Sequence, residues 1–363
     1  MSKKERHLFP GSNTSQGFYP FFQYIMPTDE ARRIFYIKGG PGTGKSSLMY
    51  KIAKVFLDKG YFVEFFHCSS DNESLDAIKI RELNIALIDG TAPHMNDPDI
   101  PGAVDEILNL GVCLNEKELT KHKDTIAEIS SEIKYTFSRA FTYINSARMI
   151  HDDWSYHNKK ALDIVALNSL SEKLKNEIIK KSIGGLGKER HFFATAFTPN
   201  GIISYINTLY ENDDNIYILK GGPGTGKTTI LNYIKNEVLR NGYSIEVFHD
   251  PLIPSRVEHI IIPNLNTVLL TSNEISNGKF NGIEIDMNNL LNQKYLDSVE
   301  SKIEEDKNTF YKLLNIGLGS LSNFKNVHDK LEYFYVQNMD FKEVDNMAEQ
   351  IINRLLDYEK EIL

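Results

Sequence analysis

Cysteine is nearly absent: Cys68 and Cys113 are the only two in 363 residues. They share no metal-ligand spacing and cannot build a disulfide framework, so the sequence predicts a reducing, cytoplasmic setting. No apolar run approaches the length of a bilayer span. The opening MSKKERHLFPGS carries charge but no apolar stretch of a secretory leader. Both features predict a protein without a membrane partner. Basic residues are in deficit, 41 Lys and Arg against 49 Asp and Glu, for a net charge of −8. That balance argues against a sequence-independent hold on nucleic acid, which needs a concentrated basic surface.

What is present is one unit written twice. KGGPGTGKSS (Lys38–Ser47) returns as KGGPGTGKTT (Lys220–Thr229), an offset of 221 − 39 = 182. Arg6-His7-Leu8-Phe9 matches Arg190-His191-Phe192-Phe193, and FVEFFH ending at His67 matches SIEVFH ending at His249. Further on, MIHDDWSY (Met149–Tyr156) matches NVHDKLEY (Asn326–Tyr333) at an offset of 328 − 151 = 177. Paired features in the same order mean a tandem duplication. Its boundary falls near SIGGLGKE (Ser182–Glu189), where glycines interrupt a helical pattern. The expected units are 1–185 and 186–363.

Periodicity gives the unit its class. RIFYIKG is a short apolar run bounded by glycine, as for a buried parallel strand. SSLMYKIAKVFLDKG places Leu48, Ile52, Val55 and Phe56 on one helical face and stops at Gly60. FVEFFH reads as the second strand, LNIALIDG as the third, and EILNLG as a fourth, with GIEIDM its counterpart. Alternating strands and helices predict an α/β fold with a mostly parallel sheet. From Leu114 to Lys181, and again from Leu290 to Leu363, a dense helical pattern predicts a hairpin of helices mounted on each sheet.

The two glycine-rich stretches carry the chemistry. Gly39-Gly40-Pro41-Gly42-Thr43-Gly44-Lys45-Ser46-Ser47 and Gly221-Gly222-Pro223-Gly224-Thr225-Gly226-Lys227-Thr228-Thr229 both fit the P-loop spacing. Glycines let successive backbone N–H groups turn inward as an anion nest, and the next helix aims its positive end at the phosphates. Lysine then reaches the β and γ phosphates, and Ser46 or Thr228 is the hydroxyl that ligates Mg²⁺. At average glycine usage a chance match in a chain of this length has a probability of roughly 1%, so two in register are no accident. ATP and Mg²⁺ are the expected ligands.

Turnover needs more: an acid on a neighbouring strand to hold the Mg²⁺ shell. Asp89 ends LNIALID where that acid belongs, whereas the same offset lands on Thr271 in LNTVLLT. The first copy is therefore expected to turn over and the second to bind with little or no turnover. Asp71, Asp76 and His94 are further polar candidates, and His67 and His249 either sense the γ-phosphate or cap a strand. Arg139 and Arg148, on the helical segment, are candidates for stabilising transition-state charge; the counterparts are Ile316 and Lys325.

Taken together, HCSSD, SLD, DGTAPH and PGAVDEILNLG resemble a family of duplicated P-loop proteins of Gram-positive, mainly spore-forming bacteria, described as ATPases or ATP-binding proteins. The resemblance spans essentially the whole chain. It implies two tandem P-loop NTPase domains, each with a helical extension, and ATP as ligand. The wording GGPGTGK is also similar to AAA-type and KaiC-type ATPases, but Asp89 is followed by Gly90 rather than by the glutamate many of those use to activate water. Only one strand is expected between Lys45 and Asp89. Three readings stand at this point: an ATPase working mainly through its first half, a small-molecule or nucleotide kinase with the helices as lid, and a nucleotide-dependent interaction protein.

Overall fold

The computed structural model describes residues 4–91, 97–211 and 214–361. The first half runs β1 (Glu5–Leu8), β2 (Gly11–Thr14), β3 (Gly17–Pro20), β4 (Arg33–Lys38), α1 (Lys45–Asp58), β5 (Val63–His67), β6 (Leu75–Ile80), β7 (Ile85–Asp89) and β8 (Asp105–Asn109), then the helices α2 (Glu116–Lys121), α3 (Lys123–Ala161) and α4 (Ile164–Ile178). The second half repeats the series: β9 (Glu189–Phe192), β10 (Thr195–Thr198), β11 (Gly201–Ser204), β12 (Asn215–Lys220), α5 (Lys227–Arg240), β13 (Ile245–His249), β14 (Val257–Ile262), β15 (Thr267–Ser272), β16 (Ile283–Asp286), α6 (Gln293–Val336) and α7 (Phe341–Lys360). Two six-stranded sheets result, ordered β1-β5-β6-β7-β4-β8 and β9-β13-β14-β15-β12-β16. The order is the same, strand for strand. The fold is α/β, with mixed, mostly parallel sheets.

One strand per sheet runs against the rest. β6 pairs antiparallel with β5 and β7, as β14 does with β13 and β15. Two strands, not one, thus lie between the first loop and Asp89. LDAIKI escapes a reading built on parallel units because an antiparallel neighbour needs only a short return, here residues 68–74, with no crossover helix.

Side-chain alternation along the strands builds four layers. Phe35, Ile37, Phe65 and Leu87 face α1 and α7, while Ile34, Phe66, Ala86 and Ile88 face the opposite way, onto Phe248, Ile218, Val268 and Leu270 of the second sheet. On the far side Leu219, Val247 and Leu269 meet α5 and α4. The sheets therefore pack face to face, each with helices on its outer face only. Hairpins β2–β3 and β10–β11 join into one four-stranded sheet across the halves. Near the approximate two-fold axis a buried quartet closes the interface. Arg6 donates to Glu246 (2.7 and 2.6 Å) and pairs with Glu64, and Arg190 donates to Glu64 (2.9 Å) and Glu246 (3.0 Å).

The long helices cross over. The 39 residues of α3 span about 58 Å, too far to fold back on one small sheet. It runs antiparallel to α6, with Gly317 against Ile144 and the Ala140 carbonyl. α4 then packs on α5, and α7 on α1. The expected hairpin on its own sheet is thus replaced by an exchange: the helices that end each half cover the other half's first helix.

Candidate functional site

The first glycine-rich loop leaves β4 at the end of the sheet where β7 also ends, with Ile37 beside Asp89. Gly42 (φ 67) and Gly44 (φ 87) are left-handed, and Gly44 caps the N-terminus of the 14-residue α1. An L side chain there is strained, which is why glycine occupies the turn. Lys45 folds over its own loop, its Nζ donating to the carbonyls of Gly39 (3.0 Å) and Gly40 (2.8 Å) and lying 3.6 Å from Asp89 Oδ2. Asp89 is fixed in turn by the Thr91 N–H, which donates to Oδ1 at 2.8 Å, while the Thr91 hydroxyl donates to the Gly39 carbonyl. Ser46 Oγ accepts from the Leu75 N–H at 3.0 Å, which places it against the start of β6. Asp76, the next residue, is buried; burial, reinforced by the charge of Asp89, pushes its carboxyl well above the usual range.

The second loop repeats this frame. Gly224 (φ 76) and Gly226 (φ 94) are left-handed, Gly226 caps α5, and Lys227 donates to the carbonyls of Gly221 and Gly222. Thr228 Oγ1 donates to the Val257 carbonyl at 3.5 Å. Thr271 stands beside Leu219 just as Asp89 stands beside Ile37, so the lost acid is a true positional replacement. Other acids surround the lysine, however. Burial pushes Lys227 down to about 8 against the fields of Glu274, Asp250 and Glu258, with Arg256 adding to the lowering. Glu258 is itself pushed well above the usual carboxylate range, first by burial and then by Asp250. Glu274, opposed by burial, is held down to about 2 by its hydrogen bond and charge contact with His151 and by Arg256 and Lys227. These acids come from neighbouring strands and loops, not from the strand end where the sequence pattern looks for them.

Each loop is covered by the other half. Added methyl groups at Gly40 and Gly42 would lie 2.8 Å from the Tyr335 ring and 2.8 Å from Val336. At the second loop the cover is backbone: a methyl on Gly224 would lie 2.2 Å from the Ser155 carbonyl oxygen, and Asn158 donates to the Pro223 carbonyl at 2.7 Å. Ser155 and Asn158 correspond to Glu332 and Tyr335 at the offset of 177 (332 − 155), so the exchange obeys the same repeat. Lys325 of α6 reaches Asp71 of the first half at 3.5 Å, and Asp71 also accepts from the Ser74 hydroxyl.

The candidate arginines fall elsewhere. Arg139 lies over the Tyr143 ring, about 24 Å along α3 from its first residue. Arg148 pairs with Asp152 at 3.1 Å. Seven residues before Ser155, it shares the face that meets the second loop. Neither is brought to the first loop. His67 uses both ring nitrogens inside the protein, at His7 (2.8 Å) and at the Asn72 carbonyl (2.8 Å), and His249 Nε2 pairs with His191 Nδ1 at 2.8 Å. Each pair joins two adjacent strands, β1 to β5 and β9 to β13, and packs against Tyr205 or Phe21. His94 lies outside the described residues. Among the described residues no helix is long and apolar enough to cross a membrane. No family model matches the chain, and neither a curated protein nor a solved structure matches it.

Proposed function

We propose that the chain contains two tandem P-loop NTPase domains that bind a nucleoside triphosphate, with Mg²⁺-dependent hydrolysis of ATP mainly at the Lys45 loop and little turnover at the Lys227 loop. The observation that carries this reading is the repeated geometry of the loops. In each, a left-handed glycine caps a 14-residue helix and the next residue, a lysine, bends back to the first two glycine carbonyls. Backbone N–H groups at such a helix start, with a cation beside them, suit a polyphosphate.

The residues fit the accompanying cation as well. Ser46 and Asp89 offer a hydroxyl and a carboxylate, the oxygen donors Mg²⁺ prefers. The ion would neutralise charge on the β and γ phosphates. The chain's own part is to hold the phosphates on the loop amides, to place Lys45 against them, and to keep Asp89 fixed through Thr91. Thr271 supplies no charge at the equivalent place, which favours the first half as the faster site. The test is to incubate the protein with γ-labelled ATP, with and without a pooled metabolite extract, and follow the label. Release as inorganic phosphate in both mixtures is the expected result. Label appearing only on an extract component would replace hydrolysis by a kinase reaction, and no release at all would leave a nucleotide-dependent interaction protein.

A further inference from the structure

Each half keeps an irregularity in its sheet at the same place, and each irregularity holds an acid. In the first half Phe66 pairs with Ala77 and His67 with Leu75, so Asp76 is the extra residue of a β-bulge. In the second, Phe248 pairs with His259 and His249 with Val257, which leaves Glu258 as the extra residue. The offset is 258 − 76 = 182, that of the loops. A bulge breaks the alternation of the strand and re-aims one side chain, a device common beside active sites. The duplication thus let the strand-end acid become Thr271 but retained the bulged one.

The surroundings of Glu258 point to a ligand. It is 2% exposed, its Oε2 makes no hydrogen bond among the described residues although His259 Nε2, equally without one, lies 3.5 Å away, and Oε1 accepts only from Asn273, at 3.3 Å. Leaving such an oxygen buried without a hydrogen bond costs stability. The bulge adjoins the residue next to the loop lysine in both halves: Val257 accepts from Thr228, and Leu75 donates to Ser46. We propose that Asp76, together with Asp89 at the first loop, and Glu258 at the second are carboxylates directed at the hard divalent cation accompanying a nucleoside triphosphate, so that the second loop keeps an acid for its cation despite Thr271. This rests on the nucleotide-binding reading above. Hydroxyl, carboxylate and phosphate make an all-oxygen donor set, which suits Mg²⁺.

The experiment uses the full chain carrying Lys45→Ala, which leaves the second loop as the intact site, and a fluorescent ATP analogue titrated with Mg²⁺. Glu258→Gln in that background should raise the Mg²⁺ needed for half-maximal binding about 10-fold or more, leave binding in EDTA unchanged, and be largely reversed by Glu258→Asp. An unchanged Mg²⁺ midpoint in a folded Glu258→Gln protein, with the analogue still bound, overturns the assignment of the bulged acid alone. Failure of the Lys45→Ala protein to bind the analogue with or without Mg²⁺ overturns the nucleotide reading of the second loop together with this inference. The mirror experiment, Asp76→Asn in a Lys227→Ala chain, carries the same expectation at the first loop and decides the matter should Glu258→Gln fail to fold.

Discussion

Replacing Glu246 by glutamine perturbs the joint between the two sheets at its most charged point. Arg6, Arg190, Glu64 and Glu246 form a quartet that the partly exposed Arg81 joins at Glu64 (2.9 Å), with Arg6 and both carboxylates nearly out of solvent. Glutamine keeps the shape and one acceptor but leaves the guanidinium groups of Arg6, Arg190 and Arg81 facing the single carboxylate of Glu64. Breaking a buried ion pair by removing one partner costs about 3–5 kcal/mol. The carboxyl itself gives a second estimate. Burial opposes its ionisation, yet Arg6 and Arg190 hold it down from 4.5 to about 2, and that difference corresponds to roughly 3 kcal/mol. Because the folded value is depressed, the stabilisation is fully present above 4.5 and is lost as pH falls through about 2. Glu246→Gln should therefore lower the melting temperature at pH 7 by on the order of 5–10 °C. The deficit relative to wild type should shrink as the pH is taken from 5 towards about 2. Thermal melts followed by circular dichroism across that range provide the assay. A change of less than about 1 kcal/mol at pH 7, the size of an exposed pair, would refute a buried quartet holding the sheets together.

Two further outcomes follow from the sites. Asp89→Asn removes the carboxylate 3.6 Å from Lys45 with little change in shape, so phosphate release should slow at least about 10-fold while the melting temperature stays near wild type; wild-type turnover at limiting Mg²⁺ would show the acid assigned wrongly. Gly224→Ala adds a methyl 2.2 Å from the Ser155 carbonyl oxygen, whereas Gly201→Ala, also at positive φ, meets nothing within 4 Å. Urea unfolding should show about 1–2 kcal/mol of backbone strain at both and a further loss only at Gly224, and equal losses would mean that α3 does not bear on the second loop.

Much of the local structure is legible in the sequence because it is local physics. The glycine spacing, the apolar stripe of α1 and the runs that become β4, β5, β7 and β8 all find their elements. Partner choice is different. The alternation of Ile34 and Tyr36 with Phe35 and Ile37 tells that β4 buries two faces, but not that one face meets a second sheet rather than helices. The stripe on α3 is equally silent about whose loop it covers. β6 hid because Asp76 and Lys79 interrupt its apolar run, although both are buried. A signal for the missed acids Glu64, Glu246 and Glu258 was available: Glu64 and Glu246 recur at the offset of the loops, Glu258 stands at the same offset from the candidate Asp76, and charges kept inside otherwise apolar repeats mark places where the fold pairs them or a site uses them.

The proposed division of labour is nucleotide at both loops and turnover at the first. Its most direct test is bound nucleotide and single-turnover rate, measured side by side in wild type, Lys45→Ala and Lys227→Ala. Wild type should bind about two nucleotides per chain, one for each helix N-terminus, and each variant about one. Turnover should vanish in Lys45→Ala, where the cation facing the β and γ phosphates is gone, and persist in Lys227→Ala. Turnover that survives Lys45→Ala and disappears in Lys227→Ala would reverse the roles of the halves, and a wild-type chain that binds no nucleotide would rule out a nucleotide site at either loop.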